Sequence, residues 1–291
     1  MRRTLLLWIG LSTSACAPAQ TGPVYYDFID SAKAAADRHQ PRAAQQFYEN
    51  AFERRPALVQ HALGYARICW SLKDTAKVNA YVAKALDLGV SGPELEMDSV
   101  LSPYWSSRVA ENNRMLWRKY AAMIMPELKA ELEAMFKEDQ DIRKALDWQK
   151  ADSPDSLVRR SVWIPVEAQD QRHLERVIAI IKEHGVPSVH QVGLVGNKMI
   201  FFAFIHARDV DTISAYALQL SRSVRNGDSP AIWYAYVIDR IMVKTSKETM
   251  FATTGYFNPA DDTYYFTAVV PKYVDLLREE MGLPREGRNQ E

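Results

Sequence analysis

The sequence predicts a mainly α-helical protein, in which helical repeats precede a second helical domain with a small β-hairpin. Apolar residues recur at helical spacing over most of the chain, and two N-terminal segments resemble each other about 34 residues apart. Threonine and aromatic residues cluster only after Lys247. With 291 residues and 47% hydrophobic content, the chain is long enough to build two hydrophobic cores.

Residues 1–19 have the composition of a signal peptide. Two arginines precede the apolar run Leu5 to Leu11, and small residues follow. The segment ending at Cys16 resembles a bacterial lipobox, in which the cysteine is lipidated, whereas cleavage after Ala19 would release a soluble protein beginning at Gln20. We therefore expect export to the periplasm, with the lipid-anchored form favoured. An uncleaved N-terminal helix of a cytoplasmic protein is the remaining alternative.

Residues 25–90 have the pattern of helical repeats. Small and apolar residues at fixed spacing allow two helices to pack closely, and proline ends such a helix. The matching positions are Ala44, Tyr48, Ala51 and Pro56 in the first unit and Val78, Val82 and Ala85 in the second. This spacing resembles the second helix of a tetratricopeptide repeat. The surface of these repeats is either a binding site for a protein partner or a packing platform for the second domain.

Composition excludes some classes of partner. The 36 basic and 36 acidic residues leave no net charge that would favour nucleic acid. No stretch after the leader is long and apolar enough to span a bilayer, so we expect membrane attachment only through a lipid on Cys16. Cys69 lies in an apolar helical pattern and is predicted to be a buried structural thiol.

Residues 91–127 are predicted to be a helical connector, residues 128–284 a C-terminal helical domain, and residues 285–291 a disordered tail. Amphipathic patterns predict several helices in this domain. Asn197 is expected to cap one of them at its N-terminus. The predicted helices are Glu131 to Trp148, Gln171 to His184, Lys198 to Ala207, Asp211 to Arg225, Ser229 to Val243 and Tyr273 to Met281. A hairpin is predicted from Thr249 to Tyr256 and Thr263 to Val269.

Several short motifs occur in order along the C-terminal half. They include Asp139-Gln140 with Arg143, Gly185-Val186-Pro187, His206-Ala207, Asp239-Arg240 and Val274-Asp275 with Arg278. Their order resembles the bacterial domain of unknown function 6624 family, which often occurs in lipoproteins and beside tetratricopeptide repeats. The resemblance implies an architecture and no activity. This chain departs from the family at residues 249–254, where the family usually has a Gln-Tyr-Gly-Thr-Gln run.

Asp239 is the first candidate for a catalytic residue. It shares a helix face with apolar residues, and a carboxylate there requires a partner, for which Arg143 and His206 are the candidates. A structural ion pair is the simpler interpretation of such a set. The candidate binding residues are Asp139, Gln140, Arg240 and Thr253. No metal site is expected, because His184 and His190 lack the spacing of metal ligands, and no cofactor is implied.

Signatures of nucleotide-binding enzymes, serine hydrolases and zinc proteases are absent from the sequence. We therefore expect a non-enzymatic binding or scaffold protein of the cell envelope, whose helical-repeat surface binds a protein or peptide. The alternative is a periplasmic hydrolase-like enzyme that uses Asp239, His206 and Arg143 in one cleft.

Overall fold

The computed structural model describes residues 25–151 and 153–254, the backbone of two strands at 256–258 and 263–265, and Arg278 and Met281. The predicted signal peptide with Cys16, the tail 285–291 and most of the predicted helix Tyr273 to Met281 lie outside the described residues. Within these residues the chain forms thirteen α-helices, with paired antiparallel packing. The prediction of a mainly helical protein is confirmed. No helix in the described part is long and apolar enough to cross a membrane.

The N-terminal module begins with two helical hairpins. Helix α1 packs on α2, and α3 packs on α4. The positions predicted from the repeat spacing are all buried, except Pro56, which follows α2. These four helices are α1 (Tyr25–Asp37), α2 (Pro41–Arg54), α3 (Val59–Ser71) and α4 (Thr75–Asp87).

The predicted connector belongs to the first hydrophobic core. Leu95, Leu101 and Tyr104 are buried with the residues of the helical hairpins. Asn113 secures this packing, because its side-chain amide donates to the carbonyl oxygen of Asn79 at 2.9 Å. The elements are α5 (Gly92–Met97), α6 (Ser102–Trp105), a 3-10 turn (Arg108–Ala110) and α7 (Glu111–Ala121).

In the described part of the chain, the second domain has six helices, five of which contribute residues to its core. Helix α8 packs along α11, and α10 and α13 also contact α11. Leu132, Val177, Phe201, Phe204 and Val237 are fully buried at its centre. The helices are α8 (Pro126–Lys144), α9 (Trp148–Ala151), α10 (Ser156–His184), α11 (Val189–His206), α12 (Val210–Arg225) and α13 (Ala231–Ser246).

Two local predictions in this domain were wrong. Asn197 does not cap a helix: it is fully buried inside α11, and its amide donates to Pro187 O at 2.9 Å and Ser229 Oγ at 2.7 Å. The helix begins earlier, at Val189, and is broken at Gly193, whose φ of 71° lies in the left-handed region. The apolar run from Lys198 to Ala207 indicated neither the earlier start of this helix nor the break at Gly193.

Two short strands, β1 (Tyr256–Asn258) and β2 (Thr263–Tyr265), pair in antiparallel register. The predicted first strand began at Thr249, but residues 250–254 form no strand. They follow α13 as a loop that folds back onto Asp239. The predicted extent of the strand was therefore wrong, because the hydrogen bonds of this segment go to a side chain.

The two cores meet where α4 and α7 contact the start of α11. Gly89 follows α4 with a φ of 100°, and a Cβ placed on it would lie 3.0 Å from the Cβ of Val189. The rings of Tyr120 and His190 stack with centroids 3.9 Å apart. Met125 N donates to Gln191 O at 2.9 Å. This contact fixes the N-terminal module beside the second domain and leaves a groove between them.

Candidate functional site

Four helices of the second domain bring charged residues to one cleft. Asp139 and Arg143 lie four residues apart on α8 and therefore share one helix face. Asp170 comes from α10, His206 from the end of α11 and Arg240 from α13. A cavity of about 290 Å³ is lined by Arg143, Asp170, His206 and Arg240, together with Trp163, Glu167, Gln171, Ala207 and Arg208. We call this cavity the charged cleft.

Asp139 is the buried centre of the polar network behind the charged cleft, with only 1% of its side chain exposed. Its Oδ1 accepts hydrogen bonds from Arg143 at 2.7 Å and from His206 Nδ1 at 3.0 Å, and its Oδ2 accepts from Gln140 at 2.8 Å. Burial would raise the pKa of Asp139. The hydrogen bond and charge of His206 and the charge of Arg143 outweigh burial, so the pKa lies below its ordinary value.

Arg143 joins the two carboxylates of the network. One guanidinium nitrogen donates to Asp139, and the other lies 2.8 and 3.0 Å from the two carboxylate oxygens of Asp170. His206 uses Nδ1 for Asp139 and makes no hydrogen bond through Nε2 in the described part of the chain. A buried carboxylate thus orients an imidazole whose second nitrogen remains available, which is the arrangement that acid–base catalysis requires.

The structure corrects the partners predicted for Asp239. This carboxylate is fully buried but bonds neither Arg143 nor His206. Its Oδ1 accepts from Met250 N at 2.6 Å and Phe251 N at 2.9 Å. Its Oδ2 accepts from the backbone N–H and the hydroxyl of Thr253, both at 2.7 Å. Asp239 therefore holds the loop after α13 and does not enter the charged cleft.

The other candidates divide between these two places. Arg143, His206 and the predicted binding residue Gln140 contact Asp139. The predicted binding residue Arg240 lines the charged cleft without contacting Asp139. Thr253 belongs to the loop held by Asp239. Asp170 was missed by sequence analysis, although its spacing of four residues from the buried Val166 and Leu174 placed it on the inner face of α10.

One oxygen each of Asp139 and Asp170 and one ring nitrogen of His206 lie within 4.8 Å of one another, as the ligands of a divalent cation would. Arg143 already donates to both carboxylates. A cation bound there would have to displace this guanidinium, and the expectation of no metal site remains a prediction.

The second feature is a groove of about 1130 Å³ between the modules. One wall comes from α1 and the turn before α3, and the other from α11 and the start of α13. Its lining mixes apolar and charged side chains. It includes Ile29, Leu88, Val189, Leu194, Val195 and Ile232, with Asp30, Lys33, Asp37, Arg55 and Lys198.

Lys198 is the most unusual residue of the groove. Its ammonium nitrogen lies 4.9, 4.8 and 4.7 Å from the ring centroids of Phe136, Phe202 and Trp233. These distances are typical of cation–π contacts. Burial lowers the pKa of Lys198 and the charge of Asp139 opposes this shift. No carboxylate lies within ion-pair distance of Lys198 in the described residues, so the three rings hold a cation that lacks a counter-ion.

Comparison with protein-family models, curated proteins and solved structures finds no match for this chain. The resemblance to the domain of unknown function therefore remains an expectation from the sequence.

Proposed function

We propose that this protein is a non-enzymatic, exported binding protein of the cell envelope, and that a peptide segment of a protein partner occupies the groove. The groove itself is the observation that carries this proposal. It measures about 1130 Å³ and has walls from both modules. The two N-terminal helical hairpins would act as tetratricopeptide-like repeats that present α1 to the partner. Lipidation at Cys16 would keep the protein at the membrane.

The groove is lined by three basic and two acidic side chains, and its two lysines favour an acidic segment. Neither Lys33 nor Lys198 has a carboxylate partner among the described residues, and both line the groove. Burial is the main cause that lowers the pKa of His61 to about 4, and the positive charges of Lys33 and Arg55 act in the same direction. Glutamate or aspartate side chains of the partner would supply the missing counter-ions, and their apolar neighbours would pack on Leu194 and Ile232.

Reversing the charge of one exposed groove residue tests this function. Lys33→Glu should lower recovery of a specific companion from mildly solubilised envelopes by roughly tenfold, since it replaces an attraction with a like-charge contact. Lys73→Glu is the matched control, because Lys73 is an exposed lysine of the same module outside the groove. The measurement is quantitative mass spectrometry of the co-purified proteins. Equal recovery with both variants, or no specific companion at all, would contradict the proposal.

A hydrolase-like activity in the charged cleft is the second candidate, favoured by the contact between Asp139 and His206. In this reaction His206 Nε2 would take a proton from water as the water oxygen attacks an acyl or phosphoryl centre. The departing group would then receive that proton. Asp139 would fix the ring, and it lies beside His206 where the sequence analysis expected Asp239.

His206→Asn tests this candidate, because the shorter amide removes the base and can still donate to Asp139. If the purified chain hydrolyses nitrophenyl acetate or nitrophenyl phosphate, the variant should lower kcat at least about 100-fold. An unchanged kcat would exclude the role of His206, and the absence of turnover would remove the enzymatic candidate.

A further inference from the structure

Arg240 differs from the other arginines of the charged cleft. Arg143 is engaged by Asp139 and Asp170, and Arg208 is paired with Glu167. Arg240 has no ion pair in the described part of the chain, and its Nε is buried without a hydrogen-bond partner. The cleft thus contains one guanidinium whose charge no protein group balances at contact distance.

A partly buried guanidinium without an anionic partner costs free energy of folding. Burial lowers the pKa of Arg240, and attraction to the more distant Asp170 only partly opposes this. Arginine nevertheless remains charged, because its ordinary pKa is too high for neutralisation near pH 7. Burial and the charges of Arg240 and Arg208 also lower the pKa of Lys244, one turn further along α13. An anion bound beside Arg240 would relieve both effects.

The shape of the cleft limits the size of that anion. Its volume of about 290 Å³ is at the lower end of the range for pockets that bind small molecules. His206 lines the same cavity, its Nε2 makes no hydrogen bond to any described residue, and Trp163 provides an aromatic wall. An arginine fork is complementary to the paired oxygens of a carboxylate or a phosphate.

We propose that the charged cleft is a binding site for a small molecule with an oxyanion group, carboxylate or phosphate, which pairs with Arg240 beside His206. This site is separate from the groove. His206 lies eight residues beyond Lys198 on α11, which is about 12 Å along the helix. The inference requires neither a protein partner nor turnover, so it does not depend on either function proposed above.

The test compares the thermal unfolding of the full chain in phosphate, in succinate and in chloride at equal ionic strength. Phosphate or succinate should raise the midpoint of the wild type and of Arg222→Met, which removes an exposed arginine of α12. Arg240→Met should keep only the smaller, non-specific rise that excluded anions give any folded protein. Titration calorimetry should show at least tenfold weaker binding of the active anion to Arg240→Met, and the anion with the larger effect identifies the oxyanion class.

A second readout uses the protein without added oxyanion. Because Arg240→Met removes an unbalanced charge, its midpoint in chloride should equal or exceed that of the wild type. A lower midpoint would show that Arg240 has a partner inside the protein, and the proposal would fail. It would also fail if neither oxyanion raised the wild-type midpoint above that in chloride, or if Arg240→Met showed the full wild-type rise.

Arg240→Lys is a second variant that tests the pairing by a smaller change. It keeps the charge but loses the fork, and should bind the oxyanion more weakly than the wild type. Undiminished affinity would contradict the pairing. Lys33→Glu should respond to the oxyanion as the wild type does, so a failure of the groove proposal and a failure of this one are distinguishable.

Discussion

Replacing Asp239 with alanine is expected to lower the free energy of unfolding by about 4 kcal/mol, near the upper limit for a single substitution. The carboxylate accepts four hydrogen bonds in a fully buried position, three of them from the backbone N–H groups of Met250, Phe251 and Thr253. Buried N–H groups without acceptors are costly, and bonds to a charged acceptor are stronger than average. Denaturation with urea, followed by circular dichroism, measures the loss.

The loop after α13 has an unfavourable backbone conformation that depends on these hydrogen bonds. Ala252 has a φ of 49°, a left-handed conformation that is unfavourable for residues other than glycine. The carboxylate on one side and Arg278, which donates to Ala252 O at 2.9 Å, on the other hold this conformation.

Two further variants calibrate the effect of Asp239→Ala. Asp239→Asn should also be destabilising, because an amide nitrogen would face N–H donors. Asp37→Ala, at an exposed site, should change the free energy of unfolding by less than about 0.5 kcal/mol. A loss below about 1 kcal/mol for Asp239→Ala would contradict the assignment of Asp239 as the anchor of the loop.

Asp139→Asn is expected to cost about 3 kcal/mol at pH 7. Breaking a buried ion pair usually costs this much or more, and Asp170 is the one carboxylate among the described residues that still pairs with Arg143 in the variant. His206 then faces a neutral amide oxygen in place of the charged carboxylate oxygen. The difference between wild type and variant is measured by denaturation at a series of pH values.

The pH dependence has a defined sign. The pKa of Asp139 is lower in the folded protein than its ordinary value. The contribution of this carboxylate is therefore complete above the unfolded pKa of about 3.9 and is lost as pH falls through the folded pKa. The difference in unfolding free energy should be constant near pH 7 and should shrink under acid conditions. A difference that grows on acidification would contradict the ionised network.

Regular helices were predictable because buried residues recur along them every three or four positions. The predicted helix Asp211 to Arg225 differs from α12 by a single residue at its start. The repeat spacing correctly identified buried positions such as Ala44 and Val78, because helix packing requires the same side-chain sizes in each unit. Helix periodicity and repeat spacing can both be detected along the sequence without knowledge of which distant segments are in contact.

The charged cleft depends on contacts between distant segments, which periodicity does not reveal. Arg143 and His206 were identified as candidates, but the carboxylate that joins them is Asp139, 67 residues before His206. Asp239 was assigned to the same cleft because a buried carboxylate was expected to need a charged side chain. Its charge is instead stabilised by backbone N–H groups of a loop. Every residue except proline has such a group, so the sequence pattern does not indicate these bonds.

A site-specific photocrosslinker most directly tests the proposal that a partner segment occupies the groove between the two modules. Val195 lines the groove with 41% of its surface exposed, and Leu218 on α12 is 52% exposed outside it. A probe at Val195 should crosslink to one companion through an acidic segment, and Lys33→Glu should abolish that product. A probe at Leu218 should give none. Crosslinking from Leu218 alone, or a Val195 product unaffected by Lys33→Glu, would contradict the account.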